Sequence, residues 1–319
     1  MARRSGKHRP RNVLLTVLAL VAALFCGTVS FSDALNELTG LSIPTWNELF
    51  AQTGLNETGI APAPGAELTV HYLDVGQADC ILVMTGGKTL LIDAGDVGSG
   101  GTIMTYLDAL GVERLDYVIG THPHADHIGS LWEIIENYEI GEVILPEVPD
   151  ALIPTTRTYE RLLQAIEDKG LSITPAEPLD AYRLGDAVLT LLGPCADYDD
   201  LNNESVVCRL AFGEYSFLFT GDAEETAERD ILALGANLRA TVLKVGHHGS
   251  STSTSPDFLA AVSPQYGVIE CGADNSYGHP HAETLARLRE AGCTVYRTDQ
   301  NGTVVFTVQD GALSVATQK

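Results

Sequence analysis

The segment His122-Pro123-His124-Ala125-Asp126-His127 places three imidazoles and a carboxylate within six positions. It follows the apolar run DYVIG. In an extended chain, residues two apart face the same way, so His122 and His124 can hold one metal ion. Asp126 and His127 lie further on, where a helix is expected to start, and can face a second. Imidazole plus carboxylate suits a borderline divalent ion: zinc first, with manganese or iron as alternatives. The bland reading is a polar surface loop. With nine histidines in 319 residues, that spacing seldom arises by chance.

A two-metal site needs a bridging carboxylate and donors from other loops. YSFLFTGD ends an apolar strand in Asp222, with Gly221 letting the backbone turn. Taken alone, Asp222 could equally cap the following helix. TVLKVGHHGS ends another strand in His247 and His248. Such a site would lower the pKa of a water, and Asp126 or Asp222 would help hold and deprotonate it. No protein nucleophile is called for, and neither GxSxG nor CxxC occurs. Nothing in the pattern calls for a nucleotide cofactor.

Other polar residues carry weaker signals. Asp93 before Gly95 could be a turn residue. His279 and His281, in YGHPH, could contact phosphate or decorate a surface turn. Residues 249–253 could hold phosphate or cap a helix. His71, within a strand, reads as structural. Lys244 reads as an exposed strand lysine.

These residues need a scaffold. Strands are expected at LTVHYLDV, CILVMT, KTLLIDAG, DYVIG, EVILP, AVLTLLG, VVCRLAF, YSFLFTG, TVLKVG, YGVIE, CTVYRT and GTVVFTV. Helices are expected at residues 102–110, 131–138, 159–169, 223–234, 257–262 and 283–291. Such a mixture suggests α/β layers: two mixed sheets with helices outside.

Three regions follow. Residues 1–32 combine five basic residues and no acidic one with an uncharged stretch, Val13 to Phe31, long enough for a transmembrane helix. A retained signal anchor is the reading, with a cleaved signal peptide as the alternative. The basic flank predicts that residues beyond about 32 lie outside the cell membrane, or are secreted if the segment is cut. Residues 33–66 read as a linker. Residues 67–319 form the chemistry-bearing domain. Beyond residue 32, 14 Lys and Arg face 42 Asp and Glu, a balance of −28. That excludes a nonspecific nucleic-acid binder working by phosphate neutralisation and a basic patch on anionic lipid. Six cysteines without a CxxC predict no essential disulfide.

The HxHxDH segment, LIDAG with Asp93, TGD with Asp222 and the late His247 resemble the metallo-β-lactamase superfamily. LDVGQADCILV, NNESVV, FLFTGDAE, LKVGHHGSSTSTSPDFLAAVSP and YGHPH resemble more narrowly the C-terminal hydrolase domain of ComEC-type DNA-uptake proteins and their stand-alone relatives, over about residues 67–309. The resemblance implies an αββα sandwich with the site at a sheet edge. It implies two divalent metals: His122 and His124 on metal one; Asp126, His127 and His247 on metal two; Asp222 bridging; and Asp93 orienting a ligand.

Two departures stand out. The superfamily's usual third histidine of metal one is absent, and Asn202-Asn203-Glu204-Ser205 occupies its place. Metal one is then expected to be the weaker site, completed by Asn203, by water or by His248. Ala78 also stands where DVGQGD has a glycine, which questions any positive φ there. The implied activity is phosphodiester hydrolysis, with DNA as the suggested substrate. Alternatives are a small extracellular substrate (a nucleotide, a wall phosphodiester or a lactone) and a noncatalytic binding module.

Overall fold

Short apolar runs separated by glycine turns make the strands of a computed structural model that describes residues 65–319. The transmembrane helix expected within 1–32, Cys26 inside it, and nearly all of the 33–66 linker lie outside the described residues. Among the described residues no helix is long and apolar enough to cross a membrane.

The first sheet has eight strands: β1 (Leu68–Tyr72), β2 (Ile81–Thr85), β3 (Lys88–Ile92), β4 (Arg114–Ile119), β5 (Glu139–Leu145), β6 (Ile173–Pro175), β14 (Val304–Gln309) and β15 (Ala312–Thr317), in the order β15-β14-β1-β2-β3-β4-β5-β6. The second has seven: β7 (Ala181–Leu184), β8 (Ala187–Leu191), β9 (Cys208–Phe212), β10 (Tyr215–Phe219), β11 (Val242–Lys244), β12 (Tyr266–Ile269) and β13 (Thr294–Arg297), in the order β13-β12-β11-β10-β9-β8-β7. Each sheet is antiparallel in one part and parallel in the other. The parallel parts are β3-β4-β5-β6 and β10-β11-β12-β13.

Parallel strands need crossovers, and these supply the outer layers. The helices Gly100–Ala109, Leu131–Asn137 and Arg157–Asp168 cover the first sheet, over a core including Leu91, Leu115 and Ile135. The helices Glu225–Ala233, Pro256–Val262 and Ala282–Glu290 cover the second, over Leu218, Leu243 and Phe258. Between the sheets Tyr72, Phe217, Phe219 and Phe306 are fully buried. Truncating one phenylalanine in such a core costs about 3–5 kcal/mol. The result is a four-layered αββα sandwich.

β3, β4, β10, β11 and β12 end at the same rim, and the polar residues follow directly after them. This is where open α/β sheets place their ligands. Two glycines make the rim geometry feasible. Gly221 has φ +49°, and a Cβ there would lie 3.0 Å from Thr121 Cβ. A Cβ on Gly129 would lie 2.3 Å from the backbone of Ala125 and Val97. Ala78 is buried and needs no left-handed backbone, because Gly76 supplies the positive φ of that loop. Cys80, Cys195, Cys208, Cys271 and Cys293 are free.

Candidate metal centre

Asp222 lies at the centre of the rim, 2% exposed, just beyond β10. Its two oxygens face two different groups. Oδ2 lies 3.9 Å from His122 Nε2 and 3.5 Å from His247 Nε2. Oδ1 lies 3.3 Å from His127 Nε2 and 3.8 Å from His248 Nε2. His124 Nδ1 is 2.9 Å from His122 Nε2, and Asp126 Oδ2 is 3.3 Å from His248 Nε2. The donors therefore fall into two sets: His122, His124, His247 and Oδ2 on one side, Asp126, His127, His248 and Oδ1 on the other.

The histidine tautomers follow from their outer partners. A carboxylate or carbonyl can only accept, so a ring nitrogen facing one must donate. His127 Nδ1 donates to Asp93 Oδ2 at 2.8 Å, His247 Nδ1 to Glu224 Oε1 at 3.1 Å, and His248 Nδ1 to the Glu270 carbonyl at 2.9 Å. All three are left with an Nε2 lone pair aimed inward, as metal-ligating histidines are. His127 Nε2, His248 Nε2 and Asp222 Oδ1 are buried with no hydrogen-bond partner. Orphaned buried acceptors are costly, and a cation among them would satisfy all three. The donor set fits a pair of divalent ions.

Asp93 does more than turn the chain. Its φ is +59°, and its carboxylate accepts from Thr121 N at 2.8 Å and Thr121 Oγ1 at 2.7 Å as well as from His127. That arrangement ties the end of β3 to the start of the HxHxDH segment. Burial works against a charge on His127, but Asp222 and Asp93 outweigh it and raise its pKa, so a cation at Nε2 would have to displace a proton held there.

The structure parts from the sequence reading at three places. First, the two adjacent histidines take sides opposite to those inferred. His247 points to the His122 side and His248 to the Asp126 side. Both have left-handed backbones, φ +48° and +51°, which splay their rings to either side of Asp222. Such positions cost about 1–3 kcal/mol each and persist only where the surroundings enforce them. Here the loop is braced. Glu228 Oε2 accepts from Ser255 N at 2.8 Å, and Arg287 donates to Thr254 O at 2.9 Å and Ser251 O at 3.0 Å.

Second, Asn203 is occupied elsewhere. Its Oδ1 accepts from Glu224 N at 3.1 Å and Ala227 N at 3.2 Å, capping the helix Glu225–Ala233, while Nδ2 donates to Asp200 at 2.6 Å. Two other residues of that segment meet the site: Ser205, with Oγ 3.2 Å from His122 Nδ1, and Asn202, on the cavity wall.

Third, Lys244 is not exposed but fully buried in β11. Its Nζ lies 2.7 Å from Asp79 Oδ2. Asp79, missed in the sequence, is the second acidic residue of DVGQAD, and its Oδ1 lies 3.2 Å from His248 Nδ1. Burial opposes the lysine's charge, but Asp79, Glu270 and Asp222 keep its pKa raised. Burial and the charge of Asp79 push the Glu270 carboxyl well up.

A cavity of about 290 Å³ opens over the donors. Its wall includes Gln77, Asn202, Tyr277 and His279. His281 is turned away: its Nδ1 accepts from Ser251 N at 2.9 Å, so its Nε2 donates to Tyr277 O at 3.3 Å. His71 is structural, lying between Tyr106 Oη and Thr69 Oγ1 at 2.8 Å each.

Comparison with known proteins agrees with this architecture. The profile of the metallo-beta-lactamase superfamily matches residues 73–272. ComE operon protein 3 of Bacillus subtilis is 31% identical over 266 residues, 77% of this chain and 34% of that protein. Competence protein ComA of Neisseria gonorrhoeae is 31% identical over 282 residues, 86% of this chain and 37% of that protein. Both are ComEC-type competence proteins. The chain thus spans about a third of the length of these relatives. Among solved structures, CmlA, a diiron beta-hydroxylase from Streptomyces venezuelae, superposes with a TM-score of 0.52 at 18% identity, over 83% of this chain and 60% of that one. That likeness concerns the fold. On the profile match, the sandwich and the rim of histidines and carboxylates, the chain belongs to the metallo-beta-lactamase superfamily.

Proposed function

We propose that the domain is a dinuclear metal-dependent phosphodiesterase. The observation that carries this reading is the division of donors about Asp222, one carboxylate oxygen to each set, beneath an open polar cavity with no serine or cysteine nucleophile. His122, His124 and His247 would hold one ion, and Asp126, His127 and His248 the other. His247 then takes the place of the third histidine that the NNES segment lacks. A bound ion pair supplies Lewis acidity, making water acidic and neutralising phosphoryl oxygens. The protein's own part is positioning and proton handling. Asp93, Glu224 and the Glu270 carbonyl fix three imidazoles through Nδ1. Asp126, whose side chain is 31% exposed toward the cavity, accepts the proton of the attacking water.

The likeness to competence proteins supports a DNA-related substrate, and the acidic surface favours short or small phosphodiesters over a long polyanion. The uncharged stretch Val13 to Phe31 supports a domain anchored on the outer face of the membrane.

The test is elemental analysis of the purified full chain together with hydrolysis of methyl p-nitrophenyl phosphate. About two divalent ions per chain are expected, falling to about one in His247→Ala and in His248→Ala. Asp222→Ala should lose both ions and at least about 100-fold in rate. Undiminished hydrolysis by a metal-stripped Asp222→Ala protein overturns the proposal.

A further inference from the structure

Tyr277 is the one aromatic residue among the large apolar side chains left open to solvent in the described residues, at 66% exposure. It stands on the wall of the metal cavity rather than on a distant surface. Its ring lies 5.6 Å from that of His279, with planes 25° apart. His279 lies in turn 5.4 Å from the His247 ring and 6.3 Å from the His248 ring, again at 25° to the latter. A ladder of three near-parallel rings thus runs from solvent to the metal donors. The outermost rung has a free face.

The loop that carries Tyr277 is fixed while its ring is not buried. Asn275 Oδ1 accepts from His279 N at 3.0 Å, and Asn275 Nδ2 donates to Gly272 O at 2.9 Å and His279 O at 2.6 Å. His281 Nε2 holds the Tyr277 carbonyl. Gly249 lets the loop seat closely, since a Cβ there would come within 2.5 Å of Pro280. An exposed tyrosine on a braced loop loses little conformational freedom when a flat ligand covers it.

The same wall carries spare polar atoms. Gln77 Nε2 and Asn202 Oδ1 are both buried without a hydrogen-bond partner. The first is a donor and the second an acceptor, and both residues line this cavity. A bare phosphate would use neither the aromatic face nor the acceptor. A nucleobase, with a π face and a mixed donor and acceptor edge, would use the aromatic face, and would meet both amides once their side chains turn into the cavity.

From this juxtaposition we infer that Tyr277 is a stacking platform for an unpaired nucleobase beside the scissile phosphodiester. The substrate class is therefore single-stranded or short nucleotide phosphodiesters. The inference rests on the phosphodiesterase reading above and narrows it. It also suits the charge of the domain. An acidic surface gains little from phosphate neutralisation, whereas stacking onto an aromatic ring is worth about 1–3 kcal/mol per base and is independent of sequence.

The experiment compares two single strands of equal length and charge, oligothymidylate and an oligomer of abasic deoxyribose phosphate, with methyl p-nitrophenyl phosphate as a base-free control. The wild-type full chain should prefer oligothymidylate. Tyr277→Ala should lower kcat/KM on oligothymidylate by about 5- to 150-fold, the stated stacking energy converted to a ratio, and leave the abasic strand and the metal content unchanged. Tyr277→Phe should retain the wild-type preference. Equal cleavage of both strands by the wild type, or an equal loss on all substrates in Tyr277→Ala, overturns the inference. Hydrolysis of the methyl ester with neither strand cleaved overturns it too and leaves the phosphodiesterase reading standing. Failure on all three substrates at full metal occupancy overturns that reading instead.

Discussion

His71 differs in kind from the histidines of the rim. It sits in β1, fully buried, with both ring nitrogens engaged by neutral hydroxyls and no carboxylate beside it. Burial therefore lowers its pKa to about 3. The unfolded chain takes up this proton near pH 6.5, whereas the folded chain resists it. Stability must therefore fall as the pH drops below about 6.5, and keep falling until about 3. At pH 5 the loss from this one residue is about 2 kcal/mol. His71→Gln should be less stable than the wild type at pH 7, yet lose about 2 kcal/mol less between pH 7 and pH 5 in urea unfolding. Parallel losses in the two proteins would show that His71 does not resist protonation.

At the scale of elements, the NNES segment is a cap rather than a ligand. Asn203 closes the exposed N–H end of the helix Glu225–Ala233, the same helix whose preceding residue Glu224 fixes His247. Removing such a cap costs about 0.5–2 kcal/mol. Asn203→Ala should lower the unfolding midpoint accordingly while holding its metal, and Asn203→His should not tighten either ion on chelator titration. Tighter metal in Asn203→His would place the segment at the site after all.

Most strands and the six longer helices were legible, because apolar runs bounded by glycine carry a strong pattern. β6, β7 and β15 were not. β6 has three residues and ends in Pro175, β7 has four, and β15 is an edge strand with one face open and few large apolar residues. At the site, the HxHxDH residues and Asp222 could be read from spacing and strand ends, and Asp93 only from the resemblance to the family. The Lys244–Asp79 pair could not, since it joins chain-distant residues and a strand position does not reveal what lies opposite. Nor could the sides taken by His247 and His248, because left-handed backbone at two adjacent histidines leaves no mark in residue type.

At the scale of the whole molecule, charge is segregated: five basic residues and no acidic one in 1–32, a balance of −28 beyond. With the apolar stretch Val13 to Phe31 between them, the basic end should stay in the cytoplasm and the acidic domain outside. Protease added to intact cells should therefore digest residues 65–319. Protection until the cells are lysed would refute that orientation.

The strands of the two sheets do not pair with one another, and across the middle the sheets are joined mainly by apolar side chains, which tolerate some sliding. The metal donors do not. His122, His124, Asp126 and His127 follow β4 of one sheet, whereas Asp222, His247 and His248 follow β10 and β11 of the other. An ion shared between them would act as a rivet through the open edge of the sandwich. Prising the sheets apart would then also empty the site, so metal supply should shift the unfolding midpoint of the molecule as well as any activity it has.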